Sequence, residues 1–215
     1  MRVYYFTSKR YGLENLEWRR LKISYFSSVN DPFELLGIEM RDKEVRKAVN
    51  SEKSKISKRN GLLCFSKDKY NPVQWAHYAE NHKGICLGLD IPDSKLRKVK
   101  YVAERLARET LNDPDRNEKL LTTKFNHWSY EQEHRLLLEL KDYSSDSEGF
   151  RFKGFDSHLE LKEVYIGCKS DLSFEDITKV IGGARRGESV IVKHTRPSNR
   201  YFRIVWDQSK KSVRT

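Results

Sequence analysis

The spacing of apolar residues along the chain changes between a period of two and a helical period, which predicts both strands and helices. Runs rich in β-branched and aromatic residues, Val3 to Thr7 and Gly61 to Ser66, are typical of strands. A helical spacing covers about Lys9 to Arg20, and Asn71-Pro72 provides a cap and a first residue for another helix. Strand and helix patterns therefore alternate along the chain.

This alternation predicts one α+β domain over residues 1–206, with a mixed or antiparallel sheet flanked by helices, and a basic C-terminal tail over residues 207–215. A hydrophobic fraction of 37% is enough for a core. A charged fraction of 34% and a mean hydropathy of -0.79 argue against a membrane protein. The first six residues lack a secretory signal, so we expect a cytoplasmic protein. The oligomeric state does not follow from these patterns.

The segment from Trp128 to Arg135 ends with three charged residues at every second position. If this segment is a strand, Glu131, Glu133 and Arg135 share one face. The opposite face then carries three leucines into the core: Leu136, Leu138 and Leu140. We predict that the charged face is a site with Glu131 and Glu133 as catalytic carboxylates. The alternative is a ladder of surface ion pairs that adds little stability.

Positive charge is concentrated toward the C-terminus. The chain has 42 Lys and Arg against 31 Asp and Glu, and nine of the basic residues lie between positions 185 and 215. Three arginines alternate with the aromatic residues of this region and are predicted to bind substrate: Arg196, Arg200 and Arg203. Such a mixture favours a nucleic-acid partner, because cations follow phosphates and rings stack on bases. The alternative is a final strand surrounded by solvated charges.

The three cysteines and six histidines are scattered, and they predict neither a disulfide framework nor a metal site. A metal-dependent nuclease is nevertheless an alternative hypothesis. Glu139-Leu140-Lys141 and Glu160-Leu161-Lys162 each place an acid and a lysine on one strand face. Asp90 or Asp93 would supply the upstream acid.

Several motifs occur together in a recognisable order. They are Asn30-Asp31-Pro32-Phe33-Glu34, Cys64-Phe65-Ser66, Trp75-Ala76-His77-Tyr78-Ala79 with His82-Lys83-Gly84-Ile85-Cys86, and Trp128 followed by Glu131, Glu133 and Arg135. Over roughly residues 1 to 205 this set resembles a widespread prokaryotic and phage domain family of unknown function. The resemblance brings no established reaction. It directs attention to Asn30, Asp31 and Glu34 as candidate substrate-binding residues.

A fainter resemblance concerns the opening Tyr4-Tyr5-Phe6-Thr7, the helix after it and the strand at Leu21-Lys22-Ile23-Ser24. These look like the start of ADP-ribosyltransferase domains, including those that act on DNA. The resemblance implies that fold, NAD as cofactor, Tyr5 or Thr7 in the first-strand role, Ser66 in the second and a Glu of the acidic segment in the third. The first strand, taken as Val3 to Thr7, departs from the family by lacking His and Arg.

The chemistry of such a reaction suits these residue types. Breaking an N-glycosidic bond develops positive charge on the sugar, which a fixed carboxylate stabilises. Three aromatic residues, Trp75, Tyr78 and Trp128, are predicted to wall the cofactor pocket, although Trp75 and Tyr78 at helical spacing are also typical of a core. Arg135 is predicted to hold a phosphate or a glutamate.

We therefore predict an ADP-ribosyltransferase-like enzyme or an NAD glycohydrolase, acting on nucleic acid as a toxin or a phage-defence effector. A metal-dependent nuclease and a non-catalytic nucleic-acid-binding protein are the alternatives. Replacement of Glu133 by Gln is predicted to abolish activity and to leave thermal stability nearly intact.

Overall fold

A computed structural model describes residues 1–182 and 189–214 and confirms the mixed α+β class. Residues 185–188 and 215, which contribute to the predicted basic C-terminus, lie outside the described residues. The α-helices are, in chain order, α1 (Lys9–Glu17), α2 (Lys43–Arg59), α3 (Pro72–Tyr78), α4 (Arg116–Thr122) and α5 (Phe174–Gly182).

The strands build one large sheet and two short pairs. They are β1 (Arg2–Thr7), β2 (Arg20–Lys22), β3 (Ser24–Tyr25), β4 (Asn60–Ser66), β5 (Ile85–Asp90), β6 (Leu96–Lys98), β7 (Lys100–Val102), β8 (Thr123–Phe125), β9 (Glu133–Glu139), β10 (Phe152–Gly154), β11 (Glu160–Ile166), β12 (Ile191–Pro197), β13 (Ile204–Trp206) and β14 (Val213–Arg214). The large sheet has the order β13-β12-β11-β5-β1-β4-β9-β6, with β14 on β12 and β3 on β4. Within it β11 and β12 run parallel, while the remaining pairs run antiparallel.

One face of the large sheet packs against α1 and α5. Alternate residues of the central strands supply this main core, for example Val3 of β1, Leu87 of β5 and Val164 of β11. Leu16 of α1 and Ile177 of α5 pack onto them. The predicted leucines of the acidic segment join the same core, which confirms that part of the pattern: Leu136, Leu138 and Leu140.

The other face of the sheet carries two smaller cores. Leu62 of β4 packs under α2 and α4, together with Val49 and Leu120. Toward β5 and β11, Phe6 of β1 packs against Trp75 of α3. Polar side chains of β4 and β9 lie on this face between the two cores, and this arrangement positions the candidate site.

Three boundaries of predicted segments differ in the structure. The helix opened by Asn71-Pro72 ends at Tyr78, before the predicted end at His82, because Glu80, Asn81 and His82 have positive φ angles. The first strand begins at Arg2, so it does contain an arginine, whose guanidinium binds Asp90 and Glu163. In the predicted tail, β14 pairs with β12 and extends the sheet.

Across residues 1–182 and 189–214, no helix combines the length and the apolar character needed to cross a bilayer.

Candidate functional site

Five charged side chains meet in a buried network on the face of the sheet between the two smaller cores. They are Glu34, Lys124, Glu131, Glu133 and Arg135. Three carboxylates thus share two cations. Burial at this level makes the network unlike the surface ladder that was the alternative, because buried charges interact strongly and require partners.

Arg135 is the centre of this network and is 1% exposed. Its two terminal nitrogens donate to both oxygens of Glu34, at 2.7 and 2.9 Å, although the two residues are 101 positions apart. Its Nε donates to Glu133 at 2.8 Å, and one terminal nitrogen also donates to the carbonyl oxygen of Leu121. Arg135 therefore holds two carboxylates and binds a phosphate only at the expense of these contacts.

Lys124 joins the remaining carboxylate to the network. Its Nζ donates to Glu131 at 2.5 Å and to Glu133 at 3.2 Å. One oxygen of Glu131 and one oxygen of Glu133 contact the same ammonium. The two carboxyls are therefore closer together than the catalytic carboxyls of inverting glycosidases, which are roughly 6.5–9.5 Å apart. Glu131 and Glu133 therefore share one cation.

A local turn brings Glu131 to the same ammonium as Glu133. The prediction that Glu131 lies on the strand is wrong, because Asn126–Glu131 forms a 3-10 turn and β9 begins at Glu133. Gln132 between them has a left-handed conformation with a φ of 45°. Glu133 and Arg135 do share one face of β9, as the alternation predicts.

The two neighbouring glutamates have opposite pKa shifts. Burial raises the pKa of Glu131, and the charge of Glu133 adds to this shift, while Lys124 opposes it. Burial also disfavours the charge of Glu133, but Arg135 and Lys124 outweigh it and lower the pKa of that carboxyl to about 2. Two adjacent acids with divergent pKa values are typical of acid–base sites.

Glu131 is also the carboxylate of the network that accepts a hydrogen bond from a phenol. Tyr78 donates its hydroxyl hydrogen to Glu131 Oε1 at 2.5 Å, and Asn30 Nδ2 donates to the same phenol oxygen at 2.9 Å. Burial raises the pKa of Tyr78, and the hydrogen bond to Glu131 adds to this effect. Tyr78 therefore stays protonated and remains a donor at neutral pH.

A cavity of about 420 Å³ opens beside this network. The cavity is lined by predicted site residues from six segments: Tyr5, Asn30, Glu34, Ser66, Tyr78, Glu131, Glu133 and Arg135. Three further aromatic residues belong to the wall of the cavity: Tyr4, Phe6 and Phe65. Small-molecule sites fall in the range of roughly 300–1,000 Å³ and combine apolar walls with few polar groups, which describes this cavity.

The first-strand candidates lie differently from the prediction. Tyr5 contributes to the cavity lining, but its ring packs edge-on against Phe65 and joins the main core, where burial raises its pKa to about 12. Thr7, two residues after Tyr5, lies on the same face of β1, toward α1, and does not line the cavity. Strand alternation instead turns Tyr4 and Phe6 toward the site face.

Ser66 lines the cavity and lies opposite Glu133 in the register of β4 and β9. Its hydroxyl accepts the backbone N–H of Asp68 and donates to the carbonyl oxygen of the same residue, each at 3.1 Å. The hydroxyl thus shapes the turn after β4.

Two aromatic residues that were predicted to line the cofactor pocket, Trp75 and Trp128, lie outside the lining of the cavity. Trp75 is 1% exposed, packs edge-on against Phe6 and donates its indole N–H to the carbonyl oxygen of Lys69. Its assignment to the cofactor pocket is wrong, because the ring is enclosed in the core under α3. Trp128 lies outside the cavity lining and covers Lys124, whose Nζ is 4.7 Å from the ring centre.

Asp31 is buried and accepts the backbone N–H of Phe33 at 2.9 Å, so it shapes the turn before Glu34. It borders a second cavity of about 650 Å³, which shares only Lys124 with the first among their lining residues.

The three predicted substrate-binding arginines do not line the Glu131 cavity. Arg196 lies on β12, while Arg200 and Arg203 belong to the hairpin that leads to β13. The hairpin stands at the β13 end of the sheet order, whereas the charged network belongs to β9.

The acids of the nuclease hypothesis are each engaged by a cation. Glu139 pairs with Arg59 and Lys141, Glu160 pairs with Lys162, and Asp90 pairs with Arg2. In the part of the chain that the structure describes, no three His, Cys, Asp or Glu side chains are grouped to hold a metal ion.

Sequence reasoning missed Lys124 and Tyr4. Lys124 follows two threonines in a charged region, and its burial depends on Glu131 and Glu133. An isolated lysine of this kind carries no local signal. The signal for Tyr4 was available, because strand alternation places it on the opposite face from Tyr5.

Residues 74–136 match a family described as protein of unknown function (DUF2971). No curated protein and no solved structure matches the chain. The matched region supports the prediction of a domain of unknown function, and it contains Tyr78, Lys124, Glu131, Glu133 and Arg135. Asn30, Glu34 and Ser66 lie outside it.

Proposed function

We propose that this protein breaks an N-glycosidic bond, as an ADP-ribosyltransferase-like enzyme or an NAD glycohydrolase, with Glu131 as the catalytic carboxylate. The observation that carries the proposal is the unequal engagement of the two neighbouring acids. Both acids line the cavity, but Glu133 is held by the two cations Arg135 and Lys124, whereas Glu131 has one phenol and one ammonium as partners. Glu131 is thus the acid available to a substrate.

The arrangement supplies what the transition state requires. When the bond between a ribose and its base breaks, positive charge develops on the sugar, and a fixed carboxylate nearby stabilises it. Lys124 and Tyr78 fix both oxygens of Glu131, so no reorganisation is needed as the charge appears. Glu133 and Arg135 position Lys124 and act through it.

The residues around the cavity also fit NAD as the substrate. Tyr4, Phe6 and Tyr78 offer rings against a nicotinamide, and Glu131 offers an acceptor for ribose hydroxyls. Lys69, whose Nζ is 5.0 Å from the centre of the Tyr4 ring, offers a cation to a phosphate beside the cavity. The proposed role as a toxin or phage-defence effector rests on the family resemblance alone.

Nicotinamide release from NAD by the purified protein, with and without added DNA or RNA, tests the proposal. Glu131→Gln keeps the shape of the side chain and removes its charge, so we expect release to fall by about a hundredfold or more. Glu139→Gln, at the half-buried end of β9 and outside the cavity lining, is the matched control and should retain release.

Equal release by the wild type and Glu131→Gln would refute the assignment of Glu131. Absence of release under all conditions would refute the NAD reaction itself, and metal-dependent cleavage of nucleic acid would become the reaction to test.

A further inference from the structure

We propose that the hairpin between β12 and β13 binds single-stranded nucleic acid and guides it to the Glu131 cavity. This inference rests on the proposed function, for which it supplies the acceptor. The surface is defined by six residues, Tyr4, Lys69, Tyr70, Arg200, Phe202 and Arg203, and is called the hairpin track below.

The tip of the hairpin exposes aromatic rings. Phe202 is 100% exposed and its neighbour Tyr201 is 57% exposed. The tip is nevertheless ordered, because Ser198 Oγ accepts the backbone N–H groups of Arg200 and Tyr201. An exposed ring on an ordered turn provides a stacking surface for an unpaired base without a new ordering cost.

The cations of the tip are free to bind an anion. Arg200 and Arg203 have no carboxylate partner among residues 1–182 and 189–214; their guanidinium groups lie over the rings of Tyr201 and Tyr70. The stretch Ile191 to Trp206 contains no Asp or Glu at all. Phosphates therefore meet no repelling charge from the hairpin's own sequence.

A direct backbone contact joins the hairpin to the segment after β4. The N–H of Ile204 donates to the carbonyl oxygen of Tyr70 at 2.8 Å. The ring of Tyr70 contacts two cations, with Arg203 at 5.9 Å and Lys69 at 5.2 Å from its centre. Cations and rings thus alternate from the tip toward the sheet.

The track ends at the cavity. Lys69 Nζ donates to the hydroxyls of Tyr4 and Tyr165, at 3.2 and 2.7 Å, and Tyr4 lines the cavity that contains Glu131. Phe202, Arg203, Tyr70, Lys69 and Tyr4 therefore form a continuous series from the exposed tip to the proposed reaction site.

The alternation of rings and cations favours a single strand over a duplex. Unpaired bases can stack on side chains while their phosphates contact neighbouring cations, whereas paired bases in a duplex are already stacked. A membrane surface would require a wider apolar face than one hairpin tip presents.

Binding of fluorescent 12-nucleotide oligothymidylate and oligouridylate, measured by anisotropy without NAD, tests the inference. We expect Phe202→Ala to weaken binding about tenfold, from the loss of one stacked base. Arg200→Gln with Arg203→Gln should reduce the slope of log affinity against log salt by about 1.4, because each contact to single-stranded phosphate contributes about 0.7.

Lys55→Gln with Lys58→Gln is the matched control, since it removes two exposed charges from α2, which packs near β4 rather than β12. This control should keep its affinity within twofold. All variants change exposed side chains, and unchanged melting temperatures verify folding.

Unchanged affinity in both hairpin variants would overturn the inference. So would tighter binding to a duplex of equal length, or binding to vesicles with 30% phosphatidylserine in place of the oligonucleotides. Because the binding measurements are made without NAD, they can refute this inference while nicotinamide release is observed, and the reverse also holds.

Discussion

Lys124 donates to Glu131 at 2.5 Å and, with the same ammonium, to Glu133 at 3.2 Å. This shared contact connects the acid that faces the cavity to the ion pairs of Arg135. Removing the ammonium would leave two buried carboxylates beside each other.

We predict that Lys124→Met lowers the free energy of unfolding by about 3–5 kcal/mol at pH 7, the usual effect of removing one partner from a buried ion pair. The loss should shrink as pH falls, because the carboxyl of Glu131, whose pKa is already raised, becomes neutral. Urea unfolding at pH 7 and pH 4 measures both effects. Lys119→Met is the control, since Lys119 pairs with Asp113 near the surface and should cost about 0–1 kcal/mol.

Arg135→Gln should be equally destabilising, with a loss of about 3–5 kcal/mol, because Glu34 and Glu133 lose their common cation. Arg135→Lys should recover only part of this loss, since an ammonium cannot replace the paired contacts to Glu34. Arg97→Gln, on exposed β6, is the matched control. A Lys variant as stable as the wild type would contradict the bidentate role.

Tyr78→Phe removes a hydrogen bond that lowers the pKa of Glu131, so this pKa should rise further. If ionised Glu131 is required, the acidic limb of the pH profile of nicotinamide release moves to higher pH. The stability cost should be about 1 kcal/mol. Tyr25→Phe, whose hydroxyl donates to the carbonyl oxygen of Gly149, is the control and should leave the profile unchanged.

Stability should depend on pH through Glu133. Its folded pKa of about 2 lies below the ordinary value of 4.5, so its contribution is complete above pH 4.5 and is lost as pH falls toward 2. Thermal melting between pH 2 and 7 should show this decline, and Glu133→Gln should flatten it.

The sequence predicts little effect of Glu133→Gln on stability; the burial of Glu133 instead predicts a clear loss at pH 7. Glu131→Gln should cost less, because the raised pKa of Glu131 means that its charge is disfavoured in the fold. Equal losses for the two variants would contradict this difference.

The sequence by itself determined the local elements and the faces of several strands. β1, β4 and β5 lie where runs of apolar residues predicted them, and Leu136 and Leu138 enter the main core. Period-two alternation is a property of any strand backbone, so it is visible without knowledge of the partner strands. It also placed Glu133 and Arg135 on one face.

Only the tertiary structure decided which charges meet and which aromatic rings are enclosed. Glu34 reaches Arg135 across 101 positions, and Lys124 enters the network because a 3-10 turn brings Glu131 to it. Trp75 became core because Phe6 packs on it. Such contacts depend on the order of strands in the sheet, and residue spacing within one element carries no information about that order.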